Sequence, residues 1–273
     1  MLYQYAPDKL AGVTQWKWRL LAFVALAIAW QIVAAVIGNV KIWPDLRHVF
    51  ENSIPEIALF GGAADAQWGL SLETIGMHTL YTVVRIIVGL TFGGVLGLVC
   101  GFAVHFFSYT KSANKRLLDI IRGVPLFALI PLFLFWFGGN EQGILAYIVF
   151  GVAVVLATNT YEALCNVPSS YMHQARLLGA NRVQVFSTVY LFAIQPQLSG
   201  GLRNVIGLAW AFSLGAEYLS ANSGLGYLVY QSYLYADMGK LAAFAVLYGV
   251  LGTLSFYLSK LLLSRMQSWQ PEI

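Results

Sequence analysis

Charged side chains are scarce in this chain: Asp, Glu, Lys and Arg make up 10% of its 273 residues, against 59% hydrophobic residues. Soluble domains carry about 25% charged residues. Several uncharged runs reach about 20 residues, the length that an α-helix needs to cross the hydrocarbon core of a bilayer. The shortage of charge therefore favours an all-α, polytopic membrane protein over a soluble protein with an unusually large core.

Motifs for catalysis and metal binding are also missing. The sequence has no GxxxxGK[ST] loop, so we do not expect the chain to bind and hydrolyse ATP by itself. It has no HExxH or CxxC pattern, and its 4 histidines lack metal-ligand spacing. Cys100 and Cys165 are expected to lie too far apart in depth to form a disulfide. We therefore expect no enzyme activity, catalytic residue, cofactor or metal in this chain.

Apolar stretches long enough to cross a bilayer predict about six transmembrane helices, at residues 20–37, 80–107, 117–137, 143–161, 198–218 and 241–263. Lysine and arginine concentrate on the segments that these spans place on one side. By the positive-inside rule that side is the cytoplasm, and both termini lie there. We expect a single membrane domain over residues 1–273, with the first span and an outer loop at 1–77 and a core at 78–263.

A polar stretch between two of these spans, Tyr161–Pro196, is called the polar module below. It predicts two short helices, roughly at residues 169–178 and 182–191, which are separated by Gly179. Ser169 or Ser170 is in position to cap the first helix. Neither helix is long or apolar enough to span a bilayer. The topology places this helix–turn–helix, within a loop at 162–197, in the cytoplasm, where it predicts a docking surface.

Glycines recur at every fourth position of the second predicted span, at Gly89, Gly93, Gly97 and Gly101. On a helix this spacing places them on one face. Small residues allow the backbones of two transmembrane helices to approach closely. The spacing predicts a packing seam, either within the chain or at a contact with a second subunit.

Two prolines interrupt the third predicted span, which begins RGVPLFALIPLFLFWFG. Pro125 and Pro131 either kink this helix around a cavity, or one marks a helix start and the other is a tolerated kink. Both alternatives remain open from the sequence.

Few charges fall within the predicted spans, and such groups usually face a partner charge or the interior of the bundle. Arg85 and Glu217 are predicted at a similar depth near the outer side. They either pair with each other, or Arg85 attracts an anionic solute. No series of membrane carboxylates suggests a proton relay, which argues against a proton-coupled secondary transporter.

The centre of the polar module reads HQARLLGA, His173–Ala180. It resembles the cytoplasmic coupling loop of ABC-importer permeases, the binding-protein-dependent transport inner-membrane family. That loop usually has Glu, two Ala, three further residues and Gly, and Ala175 and Gly179 match it. The departures, at places where the family usually has Glu, Ala and Pro, are His173, Gln174 and Phe192.

Longer stretches resemble the nitrate, sulfonate and taurine branch of that family. They read HTLYTVVRIIVGLTFGGVLGLVCGF, RGVPLFALIPLFLFWFG and GLAWAFSLGAEYLSANSGLGYL. The resemblance implies a permease subunit of an ATP-driven importer in the bacterial inner membrane, which carries a small, anionic solute.

The resemblance also implies partners: a second permease subunit (identical or related), ATPase subunits that hold ATP and Mg on the cytoplasmic side, and an extracytoplasmic solute-binding protein. It assigns the ATPase contact to Tyr171, His173, Gln174, Ala175, Arg176, Leu178 and Gly179. Together with the polar and aromatic residues near the prolines, it assigns the solute path to Pro125, Pro131, Trp210, Ser213 and Glu217. The alternatives are a stand-alone secondary transporter and a membrane assembly subunit that transports nothing.

Overall fold

The computed structural model describes residues 9–107, 116–117, 120–121 and 123–266, and these residues form helices and connecting turns without any strand. The all-α prediction is confirmed. The main helices are α1 Lys9–Ile37, α2 Trp68–Phe107, α3 Ile130–Phe137, α4 Glu141–Cys165, α5 Ser169–Leu177, α6 Arg182–Gln184, α7 Gln195–Ser220, α8 Leu225–Leu234 and α9 Met238–Met266.

By length and composition, four helical segments among the described residues are able to cross a membrane: Leu20–Ile37, Trp68–Phe107, Glu141–Cys165 and Met238–Leu263. They overlap the first, second, fourth and sixth predicted spans. The third predicted span lies partly outside the described residues, and its described end includes a shorter apolar helix, Leu126–Phe137. The fifth falls within α7, which has 26 residues but is not among the four. The count of six spans stays a prediction.

The prolines of the third predicted span begin helices instead of kinking one. Pro125 has an extended backbone, with ψ of 103°, and precedes a 3-10 helix at Leu126–Leu129. Pro131 lies in the first turn of α3, where the backbone N–H that proline lacks would have no acceptor within the helix. Of the two alternatives that the sequence left open, the kink of one helix by both prolines is wrong, because the backbone leaves the helical conformation at Pro125 and this proline marks a helix start.

The chain divides into two compact units, one formed by Met1–Leu72 with Ser232–Ala243 and the other by Glu73–Gln231 with Phe244–Ile273. In the first unit, α1 is followed by short helical turns at Leu46–His48, Val49–Ser53 and Pro55–Gly61. The Trp30 ring lies 4.3 Å from that of Trp43, and Trp30 Nε1 donates a hydrogen bond of 2.9 Å to the Pro44 carbonyl. These contacts hold the turns against the end of α1.

A lysine that is only 4% exposed organises the polar part of the first unit. Lys240 Nζ lies 3.0 Å from Glu56 Oε2 and 3.0 Å from Asp237 Oδ2. Asp237 also accepts hydrogen bonds from Ser53 Oγ, at 3.3 Å, and from the Lys240 backbone N–H, at 2.9 Å. Burial raises the pKa of Asp237, but the hydrogen bonds and charge of Lys240 outweigh it, so this pKa lies below its ordinary value.

In the second unit, α4 is the central helix and packs against α3 and α7. Ile144, Ile148, Val152 and Leu156, spaced by four along α4, are at most 1% exposed. Gly151 of α4 leaves room for the Phe212 ring of α7, which would lie 2.9 Å from a Cβ at that position. Apolar burial on several sides of α4 explains why its sequence reads as a nearly continuous apolar run.

The four regularly spaced glycines of α2, at positions 89, 93, 97 and 101, lie against α4. A Cβ at Gly93 would meet the Val149 carbonyl oxygen at 2.5 Å, and one at Gly97 would meet the Ala153 carbonyl oxygen at 2.8 Å. Gly89 and Gly101 are equally close to Ile148 and to the Ala157–Thr160 turn. Of the two alternatives that the spacing left open, the structure has the contact within the chain.

Candidate functional site

The turn of the polar module is fixed by backbone hydrogen bonds at the end of α5. The Ala180 N–H donates to the Ala175 carbonyl at 3.0 Å, and the Gly179 N–H donates to the Arg176 carbonyl at 2.9 Å. This pair of bonds is a Schellman motif, which requires a left-handed residue after the helix. Gly179 supplies it with φ of +82°. A side chain at this position is strained even though nothing lies within 4 Å of its Cβ.

The second half of the module starts with a capping box. Asn181 Oδ1 accepts a hydrogen bond of 2.9 Å from the Gln184 N–H, and Gln184 Oε1 accepts one of 2.8 Å from the Asn181 N–H. α6 then continues as a π-helical turn, Val185–Tyr190. At the start of α5, by contrast, Pro168 occupies the N-cap position and no side chain caps the helix. The prediction of a serine cap is therefore wrong.

Part of the module packs against the long helices of the second unit, to which the module itself belongs. Ala163, Leu164, Val167 and Ile194 form a buried apolar cluster at the joints of the module with α4 and α7. Met172 of α5 packs against this cluster, as does Phe102 of α2. The module is thus anchored to three long helices through apolar contacts.

The module carries four exposed apolar side chains, here called the apolar group: Tyr171, Leu177, Leu178 and Val183. Leu177 and Leu178 are 87% and 88% exposed. Leu178 also lines an open cleft of about 290 Å³ with Gly179, Ala180, Gln184 and Thr188. Sequence analysis named Tyr171 and Leu178 but missed the other two. The adjacent leucines at the end of a short polar helix were the available signal.

The remaining residues assigned to the ATPase contact lie on the same module. His173, Gln174, Arg176 and Gly179 are exposed, and Ala175 is half-buried. His173 Nδ1 lies 2.9 Å from the Ser169 carbonyl oxygen, to which it donates a hydrogen bond, so its Nε2 is the ring nitrogen left for other partners. The module therefore exposes leucines together with basic and amide groups.

A second polar site lies deep in the second unit, around Arg85. Its Nη1 donates to Glu217 Oε1 at 2.9 Å, and its Nε and Nη2 donate to the Glu141 carboxylate at 2.7 and 2.6 Å. Nη1 and Nη2 also donate to the carbonyl and hydroxyl oxygens of Ser223, both at 2.8 Å. The pairing of Arg85 with Glu217 is confirmed. All five guanidinium N–H donors are engaged, so the alternative that Arg85 attracts a solute is wrong for this structure.

Glu217 is fully buried and has a partner for each of its carboxylate lone pairs. Besides Arg85, it accepts hydrogen bonds from Ser213 Oγ, Thr82 Oγ1 and the Gly226 N–H, each at 2.9 Å. A Cβ at Gly224 would meet Arg85 Nη1 at 2.5 Å, so this loop closes over the ion pair only with glycine there. Sequence analysis missed Thr82, Glu141 and the loop residues as partners.

The residues predicted to line the solute path do not come together on an open surface. Ser213 and Glu217 are 0% exposed and bonded to each other, and Trp210 is 7% exposed, with its Nε1 donating to Ser255 Oγ at 3.1 Å. Pro125 and Pro131 are exposed but lie outside this group. In this conformation Trp210, Ser213 and Glu217 make packing and hydrogen-bond contacts within the chain, and their assignment to the solute path stays a prediction.

The described residues contain no group of three or more His, Cys, Asp or Glu side chains that could hold a metal ion. The described residues combine long apolar helices with a polar module that carries exposed side chains. These features are those of a multi-pass membrane protein.

Residues 93–268 match the family model described as binding-protein-dependent transport system inner membrane component, and the chain belongs to this family. It is 29% identical to the aliphatic sulfonates transport permease protein SsuC of Escherichia coli K12, with 86% of this chain and 90% of that protein covered. It is 26% identical to the taurine transport permease protein TauC of the same organism, with 95% and 94% covered.

The fold is similar to that of a chain in an inward-facing structure of the MetNI methionine ABC transporter. The TM-score is 0.64 at 19% identity, over 71% of this chain and 96% of that chain. The predicted family is confirmed, and with it a role as a transport permease component.

Proposed function

We propose that this chain is the membrane-spanning permease subunit of an ATP-driven importer for a small, anionic, sulfonate-like solute. The relatives named for aliphatic sulfonates and taurine align with almost the whole chain, which supports the solute class. An extracytoplasmic binding protein delivers the solute, a second permease subunit completes the path, and separate ATPase subunits hydrolyse ATP in the cytoplasm. The bacterial inner membrane is the site of action.

The observation that carries this proposal is the exposed apolar group on a polar, preorganised module. Burial of a leucine side chain contributes about 1.5–3 kcal/mol. Leu177 and Leu178 leave nearly all of that contribution unused in the isolated chain, since they are 87% and 88% exposed. An apolar helix end that enters a groove is a common mode of recognition. An ATPase subunit is the partner that the family provides.

The anchoring of the module explains how docking drives transport. Met172 and the buried cluster connect α5 with α4, α7 and the Phe102 end of α2. Arg85, 17 residues before Phe102 and so about 25 Å away along α2, is bonded to α4 and α7 again. Helices tied at both levels move together. A shift of the module by the ATPases therefore tilts these helices as a body, which switches access to the path between the two sides.

Reconstitution in proteoliposomes tests the proposal. The permease is co-purified with its ATPase, and solute uptake and ATP hydrolysis are measured with and without the binding protein. We expect ATP-dependent uptake of a sulfonate and hydrolysis that the loaded binding protein stimulates. Uptake by the permease alone, without ATP, indicates a secondary transporter. Stable association without uptake of any solute indicates an assembly subunit.

A further inference from the structure

We infer that the docking site for the polar module is an apolar pocket with carboxylates on its rim. This inference rests on the proposed function, because it describes the chemistry of the ATPase surface that receives the module. It follows from the sign of the charges that surround the apolar group.

Between Glu162, the second residue of the module, and Glu217 of α7, all charged side chains are basic. Residues 163–216 contain no Asp or Glu, whereas Arg176 and Arg182 are both exposed within the module. Among the described residues neither arginine has an ion-pair partner. A partner without carboxylates would therefore leave two cations facing it uncompensated.

The two arginines flank the apolar group on either side of the turn. Arg176 directly precedes Leu177 and Leu178, and Arg182 directly precedes Val183. The Gly179 turn and the capping box hold both segments in place before any partner binds. Partner groups that bury the leucines therefore meet a guanidinium at each side. Arginine is suited to such a rim, because its planar fork binds carboxylates through two hydrogen bonds.

Anionic lipid headgroups are the other surface that such arginines could bind, since anionic lipids of the cytoplasmic leaflet attract basic residues. A helix that lies on lipid needs an apolar face along its whole length. In α5 the apolar residue Met172 packs on the chain's own core, while the most exposed leucines lie only at the helix end. The geometry thus points to a compact pocket and not to a lipid surface.

The experiment measures the affinity of the purified ATPase for the permease in phosphatidylcholine nanodiscs. The double variant Arg176→Glu/Arg182→Glu is compared with the wild type at low and high salt. Arg47→Glu, at an arginine whose side chain is 79% exposed in the first unit, is the control for a charge reversal outside the module. A second double variant, Arg176→Gln/Arg182→Gln, removes the charges without adding repulsion.

We expect the glutamate variant to bind the ATPase at least about tenfold more weakly at low salt, and the glutamine variant to lose most of the salt dependence. Arg47→Glu should bind as the wild type does. Wild-type affinity in both double variants overturns the inference and leaves the proposed function standing. No binding of the ATPase by the wild-type permease overturns the proposed function. An effect seen only in discs with phosphatidylglycerol assigns the arginines to headgroups and overturns the inference.

Discussion

Substitution of Gly93 by alanine is expected to destabilise the chain by separating two helices. The new Cβ would lie 2.5 Å from the Val149 carbonyl oxygen, whereas ordinary contact begins at 3.4 Å, so the oxygen must move by 0.9 Å. This oxygen belongs to the α4 backbone and cannot rotate away. Overpacking of this kind costs about 1–3 kcal/mol.

The adjacent Gly94 provides a matched control. It is buried on the same helix, but a Cβ there would meet its nearest atom, Leu156 Cδ2, only at 3.9 Å. Both changes gain the same helix propensity, about 1 kcal/mol, so their difference isolates the contact with α4. At about 2–4 °C per kcal/mol, Gly93→Ala should melt roughly 2–12 °C below Gly94→Ala. Thermal unfolding of the two variants in the same detergent measures this. Equal melting temperatures would refute the close packing of α2 on α4.

Three further predictions concern the buried charges and the topology. Glu217→Gln leaves the Arg85 guanidinium without its buried counter-charge and should cost about 3–5 kcal/mol, measured as a loss of folded protein on size-exclusion chromatography. The pKa of Asp237 is lowered in the folded chain, so its contribution to stability is present above its unfolded pKa and is lost as the pH falls through its folded pKa. Asp237→Asn keeps the shape of the side chain but loses the ion pair with Lys240. In a pH series, this variant should therefore show a smaller loss of stability at acidic pH than the wild type. Asn181→Cys, in a cysteine-free background, should react in intact cells with a permeant maleimide but not with an impermeant one, and labelling by the impermeant reagent would contradict the proposed orientation.

Local patterns made part of this fold predictable. The four-residue spacing of Gly89, Gly93, Gly97 and Gly101 indicates one face of a helix, because the helical period is local. Which helix lies opposite is a tertiary property, and the spacing left two alternatives open. The role of Pro125 stayed open from the sequence because proline is compatible both with a kinked helix and with a helix start.

The buried network shows why a site is harder to predict than its elements. The depth of Arg85 and Glu217 suggested a pair, but Glu141 and Ser223 are 56 and 138 residues from Arg85 in the sequence. Nothing local signals that these four residues meet. Met172 and Leu178 are both apolar residues of the module, but Met172 packs against the buried cluster and Leu178 is exposed. Their residue types do not show this difference.

Cysteine protection tests the proposal that the polar module is the contact surface for the ATPase. Leu178→Cys is placed in a background with Cys100 and Cys165 replaced by serine, and its labelling rate is measured with and without the ATPase. Asn39→Cys, at an exposed turn of the first unit, is the control. We expect fast labelling at residue 178 in the free permease, strong protection in the complex, and no change at residue 39. Equal labelling at residue 178 in the free permease and in an intact, ATP-hydrolysing complex would show that the ATPase contacts another surface.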